Sequence, residues 1–142
     1  MSTVVVSNLS PEFEAVARRL VATIEAGDMD GWLAAYADDG VIWHSHDGLV
    51  VTAAHNTEQL RVLFAEVISE LRYDDIRRHQ IDGGYVEQHT LRMTAKAGAT
   101  YEVGVCLVVQ VVDGKVQRLD EYLDSNVFQF AAPDADLPAS VH

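Results

Sequence analysis

Apolar positions along the chain follow two different periods, and the change between them sets the architecture. From Phe13 through Val16, Ala17, Leu20, Val21 and Ile24 they recur at helical spacing. Ser10-Pro11-Glu12 opens that run with a capping hydroxyl, a proline at the first helical position and an acid for the helix dipole, and Gly27 stops it. Asp28 can cap a shorter helix with Trp32, Leu33 and Tyr36 on one side, ended by Asp38-Asp39-Gly40. Val41–His46 reads as a strand turned at Asp47-Gly48 into Leu49-Val50-Val51. A third helix, capped by Asn56 or Thr57, carries Leu60, Leu63, Phe64, Val67, Ile68 and Leu71 as its stripe.

From Tyr73 onward the period is that of sheet. Tyr73–Asp82 and Tyr85–Ala95 flank Gly83-Gly84. Tyr101–Val112 and Lys115–Asp124 flank Asp113-Gly114, a strong hairpin signal. Helices first and long antiparallel strands last predict an α+β fold of one domain over residues 1–142, with its core at about 10–128. The tail, about 131–142 and rich in Ala, Pro and Asp, predicts little fixed structure. In Tyr101–Val112 every odd position is apolar. If helices cover the other face, this one needs a second cover, so a homodimer packing sheet on sheet is expected. Gly104 and Cys106 would then leave room for a cavity on the helix side.

Charge narrows the partners. Ten Lys+Arg against 22 Asp+Glu give a net charge of −12, which phosphate backbones and anionic membranes repel, so neither a nucleic acid nor a membrane is expected. One cysteine excludes an internal disulfide. No basic start with a long apolar run opens the chain, and a cytoplasmic location is expected. No phosphate loop, Rossmann glycine pattern or Ser-His-Asp order is present, and no cofactor is expected.

Glu25-Ala26-Gly27-Asp28-Met29-Asp30-Gly31, followed by Tyr36-Ala37-Asp38-Asp39-Gly40-Val41, resembles the start of SnoaL-like and ketosteroid-isomerase-like domains. Asp113-Gly114-Lys115-Val116 and Asp120-Glu121-Tyr122-Leu123-Asp124 resemble their last hairpin. The resemblance implies a cone-shaped fold of the nuclear-transport-factor-2-like superfamily, a curved sheet wrapped around N-terminal helices and a pocket. It does not imply one activity, because the superfamily hosts many. Matched to ketosteroid isomerase, the base falls on His44, the tyrosine donor on Leu20, and the protonated acid near Cys106, or on Gly104. Both donors are missing, so steroid isomerisation is excluded.

The same matching turns His89, Leu91 and Met93 into the pocket, together with Leu119, Glu121 and Leu123. Alternation adds His46 beside His44. Trp43, Tyr36 and Phe64 are nearby candidates whose orientation the sequence leaves open. The expected chemistry is proton transfer on a small apolar carbonyl or hydroxyl compound. His44 would be the base, Glu121 would orient it or act as base itself, and His89 would polarise or protonate the ligand. Each also has a structural reading: a satisfied strand histidine, a polar residue at the sheet rim, a carboxylate paired with Arg118. His44-x-His46 has the look of a metal pair that His89 and Glu121 would complete, but the resemblance speaks against it, since the superfamily rarely uses metal. A non-catalytic dimeric module binding a small apolar ligand is the alternative.

Overall fold

The computed structural model describes residues 5–124, and the expected C-terminal tail lies outside them. The elements are β1 (Val5–Ser7), α1 (Pro11–Ala26), α2 (Met29–Ala34), β2 (Tyr36–His44), β3 (Val50–Thr52), α3 (Ala53–Glu66), β4 (Ile68–Ile81), β5 (Gly84–Ala95), β6 (Thr100–Val112) and β7 (Lys115–Leu123). One seven-stranded sheet runs in the order β1-β4-β5-β6-β7-β2-β3. It curves around the three helices, which confirms the α+β expectation.

The local signals at the first two helices act as the sequence predicts. Ser10 accepts from the Phe13 N–H, and Gly27 ends α1 in the left-handed region at φ 67°. Asp28 caps α2 by accepting from the Gly31 N–H at 2.9 Å. Val16, Ala17, Leu20 and Ile24 form the buried stripe of α1. At the β6–β7 turn Asp113 and Gly114 both have positive φ, the geometry of a type I′ hairpin.

Three boundaries differ from the sequence reading. The cap of α3 is Thr52, which accepts from His55 N, while Asn56 and Thr57 are buried inside the helix. The stripe assigned to that helix runs past its end: Val67 still donates to Leu63 O, but Ile68 pairs with Ala95 and Leu71 with Met93 in the sheet. Spacing of three and four followed by β-branched residues suits either period, and strand pairing decides it. β2 begins at Tyr36, with an irregularity between Tyr36 and Val41 that spans the Asp-Asp-Gly segment.

The largest correction concerns β6. Val105, Leu107, Val109 and Val111 are buried in one core cluster with Val16, Leu20 and Leu63 of the helices. The all-apolar row is therefore the interior face, already covered by this chain, and it calls for no second copy. Gly104 is exposed and Cys106 half-buried on the outer face. Alternation separates two faces without saying which one the helices take.

Sheet curvature follows from a bulge in β4. Pairing with β5 shifts between Asp74 and Arg77, and Asp75 sits there at φ 54°. Such an inserted residue bends the strand and increases its twist. Glu25 of α1 accepts the Tyr73 N–H at 2.9 Å beside it, tying the bend to the helix layer.

Candidate functional site: a carboxyl and an imidazole in an apolar cavity

β2 and β7 are distant in sequence but run parallel as neighbours, and their register sets Ile42 against Leu119 and His44 against Glu121. Directly paired residues in a sheet put their side chains on one face. The Ser45 N–H donates to Glu121 O at 2.9 Å, and the Leu123 N–H donates to the Ser45 hydroxyl at 3.1 Å, which closes the end of this pairing. His44 Nε2 and Glu121 Oε1 consequently stand 3.7 Å apart, within ion-pair reach but beyond a hydrogen bond.

Both line a cavity of about 70 Å³ between sheet and helices. Its walls are mostly apolar: Ile24 and Trp32 from α1 and α2, Leu60 and Leu63 from α3, Ile42, Leu71, Leu91, Met93, Leu107 and Leu119 from the strands. The polar lining residues are His44, His46, Asn56, Tyr73 and Glu121. The His46 ring lies 5.2 Å from that of His44, centre to centre.

Burial drives the two central groups in opposite directions. Removing water disfavours the charged form of each. It pushes the Glu121 carboxyl up from 4.5 to about 7. It lowers His44 from 6.5 to about 4, with the neighbouring His46 adding to the fall and Asp47 opposing it. Glu121 keeps 19% of its side chain accessible, consistent with a carboxyl that faces the cavity. Near neutral pH the site thus holds a neutral imidazole beside a carboxyl that can carry or release its proton.

Of the residues singled out from sequence, His44, His46, Leu91, Met93, Leu119 and Glu121 meet at this cavity. His89 does not line it. It lies on the expected face of β5 but is buried behind Tyr73, whose ring stacks on it at 3.7 Å and 15°. Its Nδ1–H donates to Glu87 at 2.8 Å, and the other Glu87 oxygen accepts from Arg78 Nε at 2.8 Å. Arg78 also reaches Glu14 on α1. All three of Arg78, Glu87 and His89 are buried. His89 thus belongs to a buried charge network that underlies the cavity wall.

Leu20 is packed in the core and Leu123 packs at its margin, neither lining the cavity. Gly104 and Cys106 are on the opposite face of the sheet. Trp43 is also on that face, against Tyr122 at 5.0 Å. Tyr36 is buried against Trp32, and Phe64 packs beside the core. The expectation that Glu121 pairs with Arg118 is not met, since Arg118 bonds Asp120 on the outer face at 2.8 Å. No group of three or more metal-ligating side chains is gathered among the described residues.

Trp32, Asn56 and Tyr73 went unrecognised in the sequence as lining residues. Asn56 inside the apolar stripe of α3 was the available signal, since a buried amide on a core-facing helix position needs a polar neighbour.

Comparison with known proteins agrees with this fold. A family model described as a SnoaL-like domain matches residues 17–119. None of the curated proteins matches the sequence. Among solved structures, an NTF2-like protein of unknown function from Burkholderia pseudomallei K96243 superposes with a TM-score of 0.73 at 18% identity, over 86% of this chain and 98% of that one. An LEH-like epoxide hydrolase from M. tuberculosis gives 0.70 at 18% identity, over 86% and 90%. A candidate polyketide cyclase from Pseudomonas putida KT2440 gives 0.72 at 19% identity, over 87% and 98%. Identities this low establish the shared fold. No helix among the described residues is long and apolar enough to cross a membrane.

Proposed function

The chain belongs to the SnoaL-like family, and on that footing we propose that it binds a small, mostly apolar carbonyl or hydroxyl compound and moves a proton on it. The observation that carries this reading is the meeting of Glu121 and His44, 3.7 Å apart, in an apolar cavity. Glu121 is the proton carrier. A carboxyl poised near neutrality accepts and returns a proton with little penalty in either direction, the condition for efficient general acid–base catalysis. The depressed His44 is a poor base, and its role is to present a neutral ring that orients the ligand or the carboxyl.

For a ketone the step is enolisation. The C–H bond beside the carbonyl breaks, its proton passes to Glu121, and its electron pair forms the new C=C bond as the carbonyl π pair moves onto oxygen. Return of a proton from Glu121 to carbon reverses it. Cyclopentanone in D₂O provides a test, because a cycle in which the Glu121 proton exchanges with solvent before it is returned replaces a ring proton by deuterium in the NMR spectrum. The native chain is expected to accelerate exchange over buffer, and Glu121→Gln to lose about 100-fold or more of that acceleration. Exchange by Glu121→Gln at the native rate would reject the assignment.

A second reading, a binding module without chemistry, draws on the ten apolar side chains among the cavity's lining residues. Saturable ketone binding with no exchange would select it. We also propose that two copies associate through the outer face of the sheet, where Trp43, Tyr122, Cys106 and Val108 cluster across β2, β7 and β6. Charges of both signs, among them Arg118 and Asp120, share that face and suit a two-fold contact.

A further inference from the structure

One residue of the cavity wall carries a buried hydrogen-bond donor that the protein itself does not satisfy. Trp32 is 5% exposed and forms part of the helical wall. Its indole Nε1–H is buried and meets no acceptor. The surroundings explain why: the Trp32 ring leans on Tyr36 at 5.4 Å and 56°, and the cavity walls near it are largely hydrocarbon. Tyr36, 4% exposed, also has an unpartnered hydroxyl, but it does not line the cavity and so cannot meet a ligand there.

An orphan donor at a buried site is costly, and native proteins seldom retain one without a use. Indole N–H donates and cannot accept. Whatever relieves it must therefore bring an acceptor atom. We propose that Trp32 Nε1–H binds the acceptor oxygen of the ligand, so that the site selects small neutral molecules bearing a carbonyl, ether or hydroxyl oxygen over hydrocarbons of the same shape.

This assignment rests on the proposed use of the cavity and adds a specificity residue to it. Glu121 comes from the sheet wall and Trp32 from the helical wall. A molecule held between them offers its oxygen to one and a neighbouring C–H to the other. When charge develops on that oxygen during enolisation, a fixed donor in a water-poor site stabilises it. The donors that matching to ketosteroid isomerase found missing at Leu20 and Cys106 thus have a replacement from a different element.

Size sets the range of ligands. A cavity of about 70 Å³ is roughly half of one that accepts benzene, so the part of the ligand held inside is only a few heavy atoms. A ring ketone entering oxygen-first, its far edge toward the opening, meets that limit.

The experiment uses cyclopentanone and its oxygen-free counterpart methylenecyclopentane, followed by the ¹H–¹⁵N cross-peak of the Trp32 indole. Trp43→Phe distinguishes the two indole signals. Cyclopentanone is expected to shift the Trp32 cross-peak downfield and saturably, and to bind about five- to tenfold more tightly than methylenecyclopentane. Trp32→Phe should remove that preference, bringing the ratio of the two affinities to within about twofold of one. Saturation by the ketone with the Trp32 signal unmoved overturns the proposal, as does equal affinity for both probes. If neither probe saturates, the cavity is not a binding site and the proposal falls with it. Ketone binding with the expected Trp32 shift but no deuterium exchange leaves Trp32 as the oxygen donor and rejects only the proton-transfer role of Glu121.

Discussion

Glu121→Gln and His44→Gln should tilt the dependence of stability on pH in opposite directions. The fold raises the Glu121 carboxyl from 4.5 to about 7. Between those values the folded chain holds a proton that the unfolded chain has released, so this contribution is complete below pH 4.5 and is lost as pH rises to 7. At about 1.4 kcal/mol per pH unit the loss amounts to about 3 kcal/mol. His44 is lowered from 6.5 to about 4. There the unfolded chain holds the extra proton, so stability is complete above pH 6.5 and falls by about 3 kcal/mol as pH drops to 4. From about pH 4.5 to 6.5 the two slopes offset each other in the native chain. Native minus His44→Gln isolates the His44 slope and should rise by about 3 kcal/mol from pH 4 to 6.5. Native minus Glu121→Gln isolates the Glu121 slope and should fall by about 3 kcal/mol from pH 4.5 to 7. Urea unfolding at half-unit pH steps, with each variant subtracted from the native chain, cancels every other titrating group. Parallel profiles for all three proteins would refute the reasoning, because neither side chain would then be perturbed by the fold.

Removing Glu87 leaves Arg78 and His89 buried without their shared acceptor, so Glu87→Ala should cost about 3–5 kcal/mol in chemical unfolding. A loss below about 1 kcal/mol would show that this network contributes little. The outer-face contact predicts a dimer by light scattering at micromolar concentration and a monomer for Tyr122→Lys. A native chain that is already monomeric would dismiss that interface.

Much of this was legible in the sequence because the signals are local. Ser10, Gly27, Asp28 and the Asp113-Gly114 turn act through neighbours a few residues away, and each behaves as its chemistry dictates. Matching to the family turned Leu91 and Met93 of β5, and Leu119 and Glu121 of β7, toward the interior, where the structure has them line the cavity. Alternation failed at β6, where the wholly apolar row looked like an uncovered surface and is the core instead. Gly104 and Cys106 were carried to the wrong side by the same inversion. The 3.7 Å approach of His44 to Glu121 depends on β2 pairing with β7, strands more than seventy residues apart, and its distance follows only from that register. His89 shows the converse limit. Its strand face was read correctly, yet Tyr73 and Glu87 claim its ring, and alternation carries no information on depth. Trp32 lies on a helix of six residues, too short for periodicity to orient it.

The central claim is that a carboxyl in this cavity changes protonation near neutral pH, and ¹³C NMR of the Glu121 side-chain carboxyl measures it directly. Glutamate-labelled protein, with Glu121→Gln identifying the resonance, should show a midpoint close to pH 7. A midpoint near 4.5 would contradict the account, because the apolar cavity would then leave the Glu121 carboxyl unperturbed and ionised at neutral pH.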